Sequence, residues 1–512
     1  MTATTKTSFF ESSRVRFARI EGILRSPEAV TLPHSDVENM LQADGRELMR
    51  VLFQDHLNLR TVCEPKIESI VDTQGVPRNT IERNKKRTLT SVFGDVDDRR
   101  IAYRRRGLFA NIYPADAILN LPKEQYSFGL RRLAAIESTR GSFEDAIDAV
   151  KRATGVQLGK RQLEEQVVRA AADFNSFYAI TSRPKAEQGT ILVITADGKG
   201  IFMRTEALRD ATARAAQSTK PATRVAKGQK CNGKRIATVG GVYYTIPVPR
   251  TPGDILSTSD NAPDKKKDGP VAKDKWLTAS VAENAATVVS QIFNEAERRD
   301  PDHVLTWVVL VDGNNHQIKC IKSQAKARKV KINIVIDFIH VLEYVWKAAH
   351  SFYKENDPAA EAWVAEKALD ILGGRAGIVA GAIKRKATCL HLDRAKREGA
   401  DTCRNYLLNK RPYLNYHMAL KEGWPIATGV IEGACRHLIK DRFDITGARW
   451  GIEGAEAVLK LRALYKNGDF DVYWSHHILQ ERHRVHEVVY AGGTIPPLSS
   501  YLREACISLC DH

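Results

Sequence analysis

Apolar positions recur at three- and four-residue spacing through Val37-Glu-Asn-Met-Leu-Gln-Ala-Asp-Gly-Arg-Glu-Leu-Met-Arg-Val-Leu52, which predicts helix across most of the first 60 or so residues. The period then changes. Arg87 to Tyr103 alternates and is interrupted by Gly94 and a cluster of aspartates, the pattern of a short hairpin or two. Ser142 is placed to cap a helix running through Val150, Gly155 to end it, and Gly159 to open a second helix. Two helices joined so briefly read equally as a DNA-reading helix-turn-helix or as an ordinary helical hairpin. From about residue 190 the predicted order is strand 191–197, a turn at Gly198-Lys-Gly200, strand Ile201 to Arg204, and strand Arg235 to Pro247. The proline- and lysine-bearing stretch 250–275 predicts a flexible excursion. A helix follows with Val281, Ala285, Val288, Ile292 and Ala296 on one face, and then two buried-type strands, Val304 to Val311 and Val330 to Ile336, flank a basic segment of helical length.

Size and composition narrow the class. A chain of 512 residues exceeds what one core holds, so two to four domains are expected. No apolar run approaches the roughly 18 residues of a membrane span, and the N-terminus lacks a signal-peptide pattern, so the expected compartment is the cytoplasm. Eight cysteines without a Cys-x-x-Cys pair argue against a zinc ribbon and against a disulfide framework. The formal charge is +17 and it is clustered. Nine Lys or Arg face two acids between Met203 and Arg235, a net of +7, and ten face four between Arg78 and Arg106, a net of +6. Such clusters displace counterions from a phosphate backbone, so nucleic acid is the expected partner, a solvated basic loop being the plainer reading of either patch alone.

Against that basic background three acids stand where apolar runs give out: Asp197 after Ile191-Leu-Val-Ile-Thr-Ala, Asp312 after Val308-Val-Leu-Val, and Glu432 in Gly429-Val-Ile-Glu-Gly-Ala-Cys-Arg436. Two hard divalent ions clamping a phosphoryl group need several anionic oxygens on rigid anchors, and strand ends supply them. Antiparallel strands, helix, strand, helix, strand is the order of an RNase H-like α/β fold with a mixed sheet, which carries acids in these slots. The gaps are 115 residues from Asp197 to Asp312 and 120 from Asp312 to Glu432, and the second holds Ala-rich helical sequence. The predicted organisation is therefore an α+β N-terminal DNA-binding region at 1–140, a helical hairpin at 141–185, the first part of a catalytic core at 186–355, a helical insertion at 356–425, the last catalytic helix at 426–470, and a C-terminal tail at 471–512.

Asp197-Gly-Lys-Gly, Val311-Asp312-Gly-Asn-Asn-His-Gln317, Asp337-Phe-Ile-His-Val-Leu-Glu-Tyr-Val-Trp346, and Gly429 to Arg436 through Asp444-Ile-Thr-Gly-Ala-Arg-Trp450 together resemble bacterial insertion-sequence DDE transposases of the ISKra group. The resemblance extends from roughly Ser91 to Leu464, including Tyr113-Pro-Ala-Asp-Ala-Ile-Leu. It implies a catalytic and metal-binding triad of Asp197, Asp312 and Glu432, and two Mg2+ ions that Mn2+ can replace. It further implies double-stranded DNA partners (terminal repeats and target), an assembly of at least two subunits on that DNA, and a nucleoid setting. Asp337 and His340 form an Asp-x-x-His that related transposases carry as an accessory. Either Asp312 or Asp337 could be the second ligand; Asp312 is favoured because it follows the strand beside the first and precedes Gly313, which opens space for substrate. Asp337 also reads as a helix cap, and Glu432 as a partner for Arg436 one turn on.

Lys199, Arg204, Lys227, Lys230, Lys234, Arg436 and Arg449 are the candidate DNA contacts, with solvated or ion-paired roles as the alternative. Trp346 and Trp450 read as core. The expected function is metal-dependent DNA cleavage and strand transfer. An RNase H-like nuclease or resolvase that joins no strands, and a DNA-binding regulator with an idle fold, are the alternatives.

Overall fold

The structure, a computed structural model, describes residues 9–107, 110–184, 186–187, 189–218, 233–256, 268–445 and 447–497. It is a mixed α/β protein of two compact units, Met1–Ala179 with Asp469–His512, and Ile180–Gly468. None of its described helices is long and apolar enough to cross a membrane.

In the first unit the helix His34–Cys63 lies along a hairpin of strands β1 (Thr80–Ser91) and β2 (Gly94–Arg104). Leu57 of the helix meets Leu89 and Val96 of the hairpin in a buried cluster. The Gln54 side chain exchanges two hydrogen bonds with the backbone of Asp97, at 2.7 and 2.8 Å, so the helix covers polar groups at the hairpin's edge. Ser142 caps the helix Phe143–Thr154 in a capping box with Asp145, and Gly155 ends it in a left-handed conformation with φ 76°. A second helix, Lys160–Ala170, follows; its exposed Lys160 and Arg161 pair with Glu144 and Glu165. Residues 470–485, within the predicted tail, are a helix of this unit: His477 lies 2.7 Å from Asp173, and the Tyr473 hydroxyl donates to the Ala170 carbonyl at 2.6 Å.

The second unit is built on a five-stranded sheet of β3 (Ile191–Phe202), β4 (Lys234–Thr245), β5 (Lys273–Ser280), β6 (Thr306–Val311) and β7 (Ile332–Ile336), in the order β5-β4-β3-β6-β7. β4 is antiparallel to both β3 and β5, whereas β6 and β7 run parallel to β3. Of the three antiparallel strands the periodicity predicts, Arg235 to Pro247 is β4, but 191–197 and Ile201 to Arg204 belong to one strand. Gly198-Lys-Gly200 makes no turn, because those residues pair in register with Thr238, Ala237 and Ile236, and β3 runs unbroken to Phe202. The third strand comes instead from the end of the supposed excursion, where Trp276 is buried and pairs with Val242; residues 257–267 of that stretch lie outside the described residues. The helix Ala285–Arg299 packs on one face so closely that a Cβ at Gly240 would stand 2.1 Å from the Ile292 side chain. Four helices, Pro358–Leu372, Ala376–Cys389, Glu398–Lys410 and Tyr416–Lys421, fill the predicted insertion.

Candidate functional site

The register of the parallel strands positions the acids. Ala196 of β3 is level with Val311 of β6, and Val311 is level with Ile336 of β7. Asp197, Asp312 and Asp337 each come one residue later, so the three aspartates stand level in the register, Asp312 and Asp337 just past the ends of β6 and β7 and Asp197 within β3. Beyond Ala196 only β4 still pairs with β3, and Asp197 stands where the β6 partner has ended.

The first two carboxylates are half-buried and lack cationic partners among the described residues. Oδ1 of Asp197 accepts the Gly198 amide at 2.6 Å and its Oδ2 accepts the Cys435 thiol at 3.3 Å. Asp312 accepts the Asn314 amide on Oδ1 at 2.8 Å. Asp337 differs: it is 3% exposed, its Oδ1 caps the helix Phe338–Ala349 by accepting the Ile339 amide at 2.9 Å, and its Oδ2 accepts the Thr428 hydroxyl. Asp337 is buried where Asp312 is half-buried with one oxygen free of side-chain hydrogen bonds among the described residues, so of the two Asp312 is the more accessible to a ligand from solvent.

Glu432 reaches the site on the helix Gly429–Ala434, which packs across β3 and β4. Its side chain is exposed and has no hydrogen bond or ion pair among the described residues. Arg436 does not pair with it, but lies 3.7 Å from Asp441. After this helix comes a six-residue π-helix, Cys435–Lys440, a deviation that often marks functional sites. Arg462, from the helix Ile452–Asn467, donates to the Leu438 carbonyl at 2.9 Å and to the His437 carbonyl, bracing that segment. Burial, then the neighbouring Asp197, pushes the Cys435 thiol up, with Glu432 adding in the same direction and Lys199 opposing; these four groups therefore share one electrostatic neighbourhood.

The Asp312 turn is gripped from the insertion. The Tyr406 hydroxyl donates to the Asp312 carbonyl at 3.2 Å, and the buried Lys410 donates to the side chain of Asn315. Gly313 has φ +95°, and a Cβ there would stand 2.8 Å from the Tyr406 oxygen. Its missing side chain thus makes room for Tyr406, and the expected space for substrate is occupied by protein at that point. Burial lowers the Lys410 ammonium's affinity for its proton, while Tyr413 and Asp312 act to raise it. Tyr406 stacks on Tyr344 at 3.9 Å, and His340 stands edge-on to both rings, with Nδ1 3.4 Å from Glu343. His340 therefore belongs to the aromatic group behind Asp312.

Among the candidate DNA contacts, Lys199, Arg204, Lys234, Arg436 and Arg449 are exposed, and the Lys234 ammonium sits 4.3 Å from the centre of the Phe202 ring. Lys227 and Lys230 lie outside the described residues. Trp450 is core, 6% exposed, but Trp346 is 36% exposed and departs from the expected burial. Tyr406, Lys410, Thr428 and Cys435 are additions to the sequence-derived set. Only Cys435 carried a local signal, three residues after Glu432 and so on the same helical face.

Half-buried and exposed oxygen donors without lysine or arginine partners suit hard divalent cations. Among the described residues no three His, Cys, Asp or Glu side chains are grouped tightly enough to hold one ion. A cavity of about 930 Å³ occurs in the first unit, lined by Arg87, Arg100, Asp116, Glu481, Arg484 and His486 among others. Among its charges Arg100 lies 2.6 Å from Asp116 and Arg484 2.8 Å from Glu481. No protein-family model matches this chain, and no curated protein matches it.

Proposed function

We propose that this chain is a DNA transposase with an RNase H-like core that cleaves and joins DNA strands at a two-metal carboxylate site. The observation that carries the reading is the placement of Asp312 just past the end of β6 and of Asp197 one residue beyond the last β3 position that β6 pairs, neither in an ion pair with a lysine or arginine among the described residues, with the Glu432 helix packed across β3 and β4. The strand order, three antiparallel strands followed by two parallel ones with β3 in the middle, supports the RNase H-like assignment.

In this reading Asp197, Asp312 and Glu432 would hold two Mg2+ ions, or Mn2+, which would supply Lewis-acid polarisation of the phosphodiester and of the attacking water or 3′ hydroxyl. The chain's own groups do the rest. Cys435 fixes one oxygen of Asp197, Tyr406 and Lys410 fix the turn bearing Asp312, and exposed Lys199, Arg204, Lys234 and Arg449 face the phosphate backbone. Pairing two element ends calls for a homodimer or larger assembly on double-stranded DNA, inside a bacterial cell at the nucleoid.

The test is cleavage and strand transfer on a terminal-repeat duplex with a plasmid target in Mg2+, comparing the parent with Asp197→Ala. Metal-dependent cleavage and joined products from the parent alone support the proposal. Cleavage without joined products points to a plain nuclease, and equal activity of both proteins ends the assignment.

A further inference from the structure

The third of the three level aspartates does something the first two do not. Asp337 is buried, and among the described residues no cation pairs with it, so its carboxylate is held by neutral donors alone. Burying a carboxylate in that way is costly unless both oxygens are well satisfied. A helix cap needs only one oxygen, and Oδ1 supplies it to Ile339. The other oxygen reaches across to Thr428, 91 positions along the chain and 5% exposed.

Thr428 is itself the cap residue of the Gly429–Ala434 helix, yet its side chain makes no capping bond to that helix. A threonine at this position ordinarily turns its oxygen to an amide of the first turn. Here the hydroxyl turns away and donates to Asp337, while the Thr428 carbonyl accepts the amides of Ile431 at 2.9 Å and Glu432 at 3.1 Å. A backbone bond beside the pair, Phe338 amide to Ile426 carbonyl at 2.9 Å, ties the same two segments. The Asp337 amide in turn donates to the Val311 carbonyl at 2.9 Å, immediately before Asp312. One connected path therefore runs from the Asp312 strand end through Asp337 and Thr428 to the backbone of Glu432.

We infer that Asp337 and Thr428 are a positioning pair that sets the height and rotation of the Glu432 helix over the strand ends, and so sets the affinity of the carboxylate site for divalent metal. The inference rests on the proposed function and deepens it. Asp337 touches no reacting atom; it acts through Thr428.

Four variants decide the matter, with Mn2+ binding measured by the electron paramagnetic resonance of free Mn2+ and with the Mg2+ midpoint of cleavage as a second readout. Thr428→Val removes the hydroxyl at constant shape, and the dissociation constant for Mn2+ rises about tenfold, as for loss of an outer-shell partner of a metal ligand. Thr428→Ser keeps the hydroxyl and stays within about twofold of the parent. Asp337→Asn keeps the capping oxygen and gives Thr428 a donor to accept from, so it too binds metal nearly as the parent does and tests the pair without a buried charge. Glu432→Gln is the reference for loss of the ligand. Weakened metal binding in Glu432→Gln with parental binding in Thr428→Val overturns the positioning role and leaves the site assignment standing. Unchanged metal binding in Glu432→Gln overturns the site and the inference together. A drop in thermal midpoint for Thr428→Val with metal affinity unmoved marks a purely structural contact and also overturns the inference.

Discussion

The molecule contains two groups of carboxylates that are treated in opposite ways. In the first unit Asp98 and Asp116 are buried, and arginines meet them: Arg100 lies 2.6 Å from Asp116 and 3.8 Å from Asp98, and Arg87 lies 3.7 Å from Asp116. Asp72 is paired with Arg78 at 2.7 Å, and Asp173 with both His477 and Arg484. Although burial acts to raise it, the Asp173 carboxyl is held down at about 2 by the His477 and Arg484 hydrogen bonds. In the second unit Asp197, Asp312 and Glu432 keep solvent on one side and have no such partner among the described residues. Carboxylates whose charge is already answered hold a fold together, whereas those left open to solvent are the ones that the proposed function assigns to a cation from outside. A high count of acids would not have separated the two groups; their partners do.

The largest effect should come from breaking the open group. Asp312→Ala should lower metal-dependent cleavage by about a thousandfold or more, beyond the 10- to 100-fold typical of outer-shell changes, with the urea midpoint of the metal-free protein nearly unmoved. A variant that still cleaves at a tenth of the parental rate would erase the contrast. The answered group should respond in the other way. Arg100→Met leaves Asp98 and Asp116 buried beside a missing partner and should cost about 3–5 kcal/mol in urea unfolding, as for loss of one member of a buried pair. An effect below about 1 kcal/mol would show that the pairing is not what stabilises this unit.

A pH measurement sharpens the same comparison. Glu64 is 7% exposed and accepts the Ile101 amide at 2.9 Å; burial pushes its carboxyl up to about 7, with Asp98 and Asp116 adding to the shift and the hydrogen bond and Arg100 opposing it. Because the folded state holds this proton more tightly than the unfolded chain, stability falls as pH rises from about 4.5 to about 7 and is flat above that. The slope from this single group is at most about 1.4 kcal/mol per pH unit, and Glu64→Gln should remove it. An unaltered pH dependence of the unfolding midpoint in that variant would count against a raised Glu64. The smallest effect is expected at Tyr406→Phe, which loses one hydrogen bond to the Asp312 carbonyl and should cost about 1 kcal/mol, with a modest rise in the Mg2+ midpoint. A change of more than tenfold in that midpoint would move Tyr406 from support to direct participation.

Much of the site was legible because it depends on local rules. Asp197 and Asp312 follow apolar runs of β-branched residues, and Ser142 and Gly155 bound their helix as cap and left-handed terminus. The helical character of 356–425 was legible from its alanine-rich composition. The failures were of pairing. Gly198-Lys-Gly200 has the composition of a turn, but β4 continues beside it and supplies a full ladder, so β3 does not end there. Lys273 to Ser280 carries three charges, which hid a strand whose Trp276 and Ala279 are buried against the sheet. The tail similarly contains a helix whose Tyr473 and His477 are buried in the first unit.

By itself, then, the sequence determined which residues could be anchors, since burial preference, capping and strand propensity reside in a few neighbouring side chains. It also determined that acids occur in a basic chain at the ends of apolar runs. Only the tertiary structure decided which of two similar aspartates stays open. Asp312 and Asp337 each end a strand of the same parallel set, and they part company because Thr428, remote in sequence, closes over one and not the other. That choice depends on a contact between distant segments, and no local pattern encodes which side chain will arrive there.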